Sequence, residues 1–352
     1  MTPFDIALLR LSNQQIARHT FEKPADLVGW LGAVQAQDYA SAKWALGLRM
    51  YGATDDDIER AFTDGSILRT HLMRPTWHFV TPGDIRWILG LTAPRVHAIN
   101  ATYYRKLDLD QTIFRRSNTA LVRALRGGKQ LTRAELRGVL QRAGIATEGL
   151  LRLGYIVMHA ELDGILCSGP RRGRQFTYML LDERAPQAAT LTREESLAEL
   201  ARRYFRSHGP ATIQDFVWWS GLTIADAKNG LEVIKVQLSY VVVDGQTYWF
   251  SAYSLPAESS AQTAYLLPNY DEYGSYKDRS AVIDPSNTQK LVFSHMVVIN
   301  GRIAGTWKRT LKKNAVVIES NSFLPLTKAE KEAFTMAARQ YGAFLELPVV
   351  LA

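Results

Sequence analysis

The chain has 352 residues, 47% hydrophobic and 22% charged, and its 42 Lys and Arg outnumber 34 Asp and Glu for a formal charge of +8. That much apolar material suits a globular protein with several cores, and the longest apolar runs fall short of the ~20 residues a membrane span needs. The lone cysteine, Cys167, rules out an internal disulfide and suits a reducing compartment. The opening MTPFDIALLRLSNQQIARHT has no basic segment leading into an apolar one, so no secretory signal is expected there, and the expected location is cytoplasmic, at the nucleoid.

A basic balance favours polyanionic partners such as nucleic acid. Several enzyme classes lack their signatures. There is no P-loop, no G-x-G-x-x-G, no G-x-S-x-G elbow and no C-x-x-C, and the seven histidines are scattered with no pair at ligand spacing. No metal site and no cofactor are expected.

In chain order, an α+β pattern of two or three short helices followed by a β-hairpin occurs three times, which is the pattern of a winged helix. In the first copy Pro24 to Val34 places Leu27, Leu31 and Val34 on one helical face. Ser41 to Met50 reads as a second helix, and Thr54 caps a third that Gly65 ends. Ile67 to Leu72 and Thr76 to Val80 read as strands, and Thr81-Pro82-Gly83-Asp84 starts another helix.

A helical connector near residues 94–106 leads to the second copy. There a Thr132–Glu135 capping box precedes one helix, Glu148 to Leu162 forms the next, and Ile165 to Ser168 and Gln175 to Leu181 flank an arginine-rich turn. The third copy opens with a Thr192–Glu195 box. It closes with Leu238 to Val243 and Gln246 to Ser251 joined by Asp244-Gly245, a strong hairpin signal. From about Ala264 the chain turns to strands (AYLLP, KLVFSHMVVING, RIAGTWKRT, NAVVIES), and a Thr327–Glu330 box opens a last helix ending near Phe344. The expected divisions are residues 1–115, 116–188, 189–255 and a β-rich, barrel-like unit at 256–352.

Taken alone, the candidate residues have plain alternatives. Arg171, Arg172 and Arg174 on the second wing suit a phosphate backbone or a minor groove, or are a solvated turn. Trp218-Trp219 suits base stacking, but the better reading puts at least one in a core. In Val34-Gln35-Ala36-Gln37-Asp38-Tyr39 the two glutamines share a face if the segment is extended. Otherwise they are exposed helix-end residues, and Asp38 is the cap of the helix that follows.

Four blocks together carry a resemblance. LGAVQAQDYASAKWAL, containing Gln35-Ala36-Gln37, resembles the catalytic glutamine motif of the AlkZ/YcaQ-type winged-helix DNA glycosylases. LRTHLMRPTWHFVTPGDIRWIL (68–89) resembles that family's strand and wing, and LLPNYDEYGSYKDR (266–279) and GRIAGTWKRT (301–310) resemble its C-terminal blocks. The order is kept along essentially the whole chain. Gln-x-Gln, rather than the Gln-x-Asp expected of the YcaQ branch, places it nearer the AlkZ branch.

The resemblance implies three tandem winged helices and a β-domain in a C-shaped clamp. It implies excision of cationic N7-alkylated purines from duplex DNA, with unhooking of interstrand crosslinks in some relatives. Gln35 and Gln37 would be catalytic, with Asp38 and His78 in support; His78 would meet a phosphate, order the glutamine loop, or simply be a hydrogen-bonded wing residue. DNA contacts would come from Arg69, Arg74, Arg171, Arg172, Arg174, Lys277, Arg279, Lys308 and Arg309. Asp271, Glu272, Lys277, Asp278 and Arg279, joined by Trp307 and Arg309, would mainly form an internal salt-bridge network. A monomer with no protein partner or membrane association is expected; the alternatives are a non-catalytic regulator, as winged helices often are, or an interaction scaffold.

Overall fold

The structure is a computed structural model and describes residues 2–149, 151–251, 263–291 and 294–352. The chain forms the three helix-and-hairpin units and the C-terminal sheet that the pattern predicts. Helix Pro24–Leu31 has proline at its start and stops at Gly32, whose φ of 83° suits glycine. The helix therefore ends earlier than its apolar spacing suggests. Val34, expected on the helical face, lies instead in strand Val34–Gln35, which pairs antiparallel with Arg74–Val80. Strand Leu68–Leu72 completes this three-stranded sheet on the other side of Arg74–Val80.

The helix expected after Thr81 and the connector near 94–106 are one helix, Ile85–Lys106, of 22 residues. It accommodates Pro94, which has no N–H to donate to the preceding turn. In the second unit the helix expected from Glu148 starts at Arg152. The first strand of its hairpin also runs past Ser168, to Arg172. Arg172 pairs with Gln175, so the turn is Gly173-Arg174. Only Arg174 therefore sits at the tip, while Arg171 and Arg172 belong to the strand.

The third unit follows its expected outline. Thr192 caps Arg193–Ser207 with a reciprocal box, and Asp244 and Gly245, both with positive φ, turn the closing hairpin. Among the described residues the last sheet has five strands, in the order Val349–Leu351, Ala315–Ser322, Arg302–Lys312, His295–Ile299, Ala264–Leu267. Part of the predicted run 290–301, residues 292 and 293, lies outside the described residues. The terminal helix is Lys328–Phe344. No helix among the described residues is long and apolar enough to cross a membrane.

The hydrophobic cores cut across the expected divisions. The largest joins the first unit to the C-terminal sheet. Within it the Trp44 indole donates to the Leu266 carbonyl at 2.7 Å and packs edge-on against Tyr341. A second core joins the first hairpin to the third unit and takes in Leu162, Cys167 and Leu181 of the second, and a third joins Leu109 and Phe114 to the second unit.

Candidate active site

The pairing of Val34–Gln35 with the hairpin sets the direction of every side chain in the glutamine segment. The Ala36 amide donates to the Trp77 carbonyl at 2.7 Å, which continues the extended run beyond the strand. Alternation then separates two faces. Val34 and Ala36 are buried in the core, while Gln35 is half-buried and Gln37 exposed. The two amides thus share the face that leaves the core.

Each glutamine is oriented by a donor. Arg74 Nη2 donates to Gln35 Oε1 at 3.1 Å. A guanidinium can only donate, so the oxygen of that amide must face it. The Trp77 amide donates, at a long 3.4 Å, to Gln37 Oε1. Beneath the strand, Glu272 accepts the Gln35 amide at 2.9 Å and the Trp219 indole N–H at 2.8 Å, with His208 Nε2 3.5 Å from the same oxygen. Burial alone would raise the pKa of Glu272; His208, the Gln35 amide and Arg74 hold it down at about 2. It is a buried anion that fixes the backbone of the first glutamine.

Gln35 opens onto a cavity of about 340 Å³, shared with Arg74, Trp218, Tyr270, Arg279 and Met296. The two neighbouring tryptophans divide their roles. Trp219 is 1% exposed and belongs to the core, whereas Trp218 is 46% exposed at the cavity wall. The Lys277 ammonium lies 5.0 Å from the Trp218 ring centre.

Several expected contacts are placed elsewhere. Asp38 caps helix Tyr39–Gly47, accepting from the Ser41 amide at 3.1 Å and its hydroxyl at 2.9 Å, as the plainer reading held. His78 stands across the ladder from Gln35 and is 1% exposed, out of reach of a phosphate. Burial, with Arg74 adding to it, pushes its pKa down to about 3, so the ring is neutral scaffold beside the glutamine. Arg69 is 7% exposed. It donates to the Ala36 carbonyl at 3.0 Å and lies 4.4 Å from the Trp77 ring centre, so it braces the glutamine segment from inside instead of facing DNA. Arg171 turns inward to Glu59 at 3.1 Å. Arg172, 54% exposed, pairs with Glu135 at 2.8 Å. Arg174 and Lys308 are exposed.

The expected C-terminal network is really several separate contacts. Asp271 forms a buried pair with Arg49 at 2.8 Å, and Glu272 serves the glutamine strand. Lys277 and Arg279 face outward to Trp218 and the cavity. Trp307 donates to the Leu267 carbonyl at 2.8 Å, and Arg309 lies over Tyr341 beside Ser41. The role of Glu272 was not visible in the sequence, where it is one acid among several in DEYGSYKDR.

Comparison with known proteins identifies the family and the fold. A family model described as "DNA glycosylase AlkZ-like" matches residues 28–344. The chain is 26% identical over 348 residues to the interstrand DNA cross-link repair glycosylase of Streptomyces sahachiroi, covering 93% of this chain and 94% of that one. The solved structure of Streptomyces sahachiroi DNA glycosylase AlkZ superposes with a TM-score of 0.83 at 22% identity, over 100% of both chains.

Proposed function

Because the chain belongs to the AlkZ-like DNA glycosylase family, and so hydrolyses N-glycosyl bonds in DNA, we propose that its substrates are cationic N7-alkylated purines and that Gln35 and Gln37 place the attacking water. The observation that carries this reading is the alternation that buries Val34 and Ala36 and turns both amides off the core, one of them into a cavity with an aromatic wall.

The chemistry suits neutral amides. A purine alkylated at N7 already carries positive charge and departs without a general acid. What remains is to hold water at the C1′ face of an oxocarbenium-like sugar. A glutamine carbonyl presents the negative end of its dipole and accepts from water, while its NH₂ donates. Two amides held by Arg74 and the Trp77 backbone form a preorganised site of the kind that contributes strongly where water is excluded. Glu272 does not take a proton in this scheme. It sits beneath the strand with its oxygens already engaged, and its charge favours the developing sugar cation. Trp218 supplies a stacking face for a base or its neighbour.

Arg172, Arg174, Lys277, Arg279 and Lys308 are the proposed phosphate contacts, and Arg69, Arg171 and Arg309 serve the fold. A crosslink between two purines at N7 joins two such lesions, so unhooking belongs to the same proposal. It is in keeping with the name of the Streptomyces relative.

The test is base release from duplex DNA carrying one N7-methylguanine, beside the same duplex with guanine, in chelator-containing buffer. Release from the alkylated strand alone is expected. Equal release from both, or none from either, would overturn the substrate assignment.

A further inference from the structure

The sequence shows no histidine pair at ligand spacing, yet the fold brings two together far from the glutamine strand. His97 lies on the long helix Ile85–Lys106. His159 lies near the end of Arg152–Leu162, whose cap is Asp163. His159 and Asp163 stand one helical turn apart, on one face. Where the two helices meet, the ligand atoms of the three side chains all fall within 4.8 Å of one another.

We propose that His97, His159 and Asp163 form a zinc-binding site that clamps the long helix to the second winged-helix unit. His97 Nε2 is 3.3 Å from Asp163 Oδ1, and His159 Nδ1 is 3.1 Å from Asp163 Oδ2. Zinc bonds of about 2.0–2.1 Å in a tetrahedron separate neighbouring ligand atoms by about 3.3–3.4 Å; both imidazole–carboxylate spacings are of that order, and an ion would draw the two imidazoles, which face different carboxylate oxygens, onto one centre. Two imidazoles and a carboxylate are a zinc donor set that leaves the fourth position to water.

A second observation points the same way. His159 is 6% exposed, and its Nδ1 makes no directed hydrogen bond even though the carboxylate is close. It is a buried polar atom aimed into the cluster, held by the nearby carboxylate and not by an aligned hydrogen bond. The surrounding shell orients all three groups. The Tyr104 hydroxyl is 2.9 Å from His97 Nδ1, Asn118 Nδ2 donates to Asp163 Oδ2 at 3.1 Å, and Phe114 stacks on the His159 ring with centres 3.6 Å apart. Such partners set ring orientation in metal sites. Access is open as well: His97 and Asp163 line a cavity of about 340 Å³ together with Gly90 and Pro94. Zinc would displace imidazole protons, so binding weakens in acid.

The test is titration of purified protein with Zn²⁺ against a chromophoric chelator, followed by thermal melting with and without the ion. One Zn²⁺ per chain is expected, with a raised Tm. His97→Gln and Asp163→Asn should each weaken binding by more than about tenfold and abolish the Tm rise. Circular dichroism checks that the variants fold; if Asp163→Asn does not, His97→Gln decides, since that side chain is a quarter exposed. No uptake by wild type, or equal uptake by wild type and His97→Gln, would overturn the site. Because neither variant touches the glutamine segment, base release should be unchanged in folded His97→Gln, so a failure here is distinct from a failure of the catalytic reading.

Discussion

At the scale of single residues, the glutamine segment is placed by its neighbours. Arg74 turns the Gln35 amide, Glu272 pins its backbone N–H, and His78 stands opposite it in the ladder. His78 also makes the fold sensitive to acid. Its pKa is held at about 3 in the folded chain, chiefly by burial, against about 6.5 when unfolded. The ring stays neutral in the fold and gains a proton on unfolding. Its contribution to stability is therefore complete above about pH 6.5 and is lost as pH falls toward 3. The slope is about 1.4 kcal/mol per pH unit for one proton. His295, pushed down to about 4 by burial, adds a term of the same sign. Melting of wild type between about pH 6.5 and 4 should show a steeper loss than His78→Gln, which keeps the His295 term; identical slopes would contradict the assignment to His78.

At the scale of elements, the helix starts marked by capping boxes were the most legible part of the sequence because their signals are local. Thr132, Thr192 and Thr327 each cap a helix with a reciprocal acid, and Asp244-Gly245 turns its hairpin as read. Elements that exist only through tertiary pairing were not legible. Val34–Gln35 is a strand because the first hairpin offers it an edge, and Val349–Leu351 because Ala315–Ser322 does the same in parallel. The apolar run Leu27, Leu31, Val34 fits a helix equally well until Gly32 breaks it.

Gly221 shows how closely such elements meet. It ends the helix that carries Trp218 at φ 71°, and a Cβ there would sit 2.4 Å from the Met73 carbonyl, next to Arg74. Gly221→Ala should destabilise the chain by about 1–3 kcal/mol in denaturant unfolding and slow base release by shifting Arg74 against Trp218. An unchanged midpoint would show that this approach is not restrictive.

At the scale of the whole molecule, the resemblance in four blocks anticipated the family and the fold. The blocks come together because the largest core ties the first unit to the C-terminal sheet, and the pair Arg49–Asp271 spans the same junction. Sequence could offer the glutamines as candidates but not the residues that place them. Glu272 lies 237 positions beyond Gln35, a separation no local pattern encodes. Similarly, Arg69, expected among the DNA contacts, is buried and donates to the Ala36 carbonyl. The central claim is that two uncharged amides, held off the core by this junction, deliver water to the sugar. It is tested most directly by single-turnover release of N7-methylguanine from a defined duplex by wild type, Gln35→Ala, Gln37→Ala and the double variant, with DNA affinity measured alongside. Each single variant should lose about a hundredfold or more in rate, the double little more than either, and all should bind DNA as wild type does. A double variant that releases the base at the wild-type rate would contradict the account.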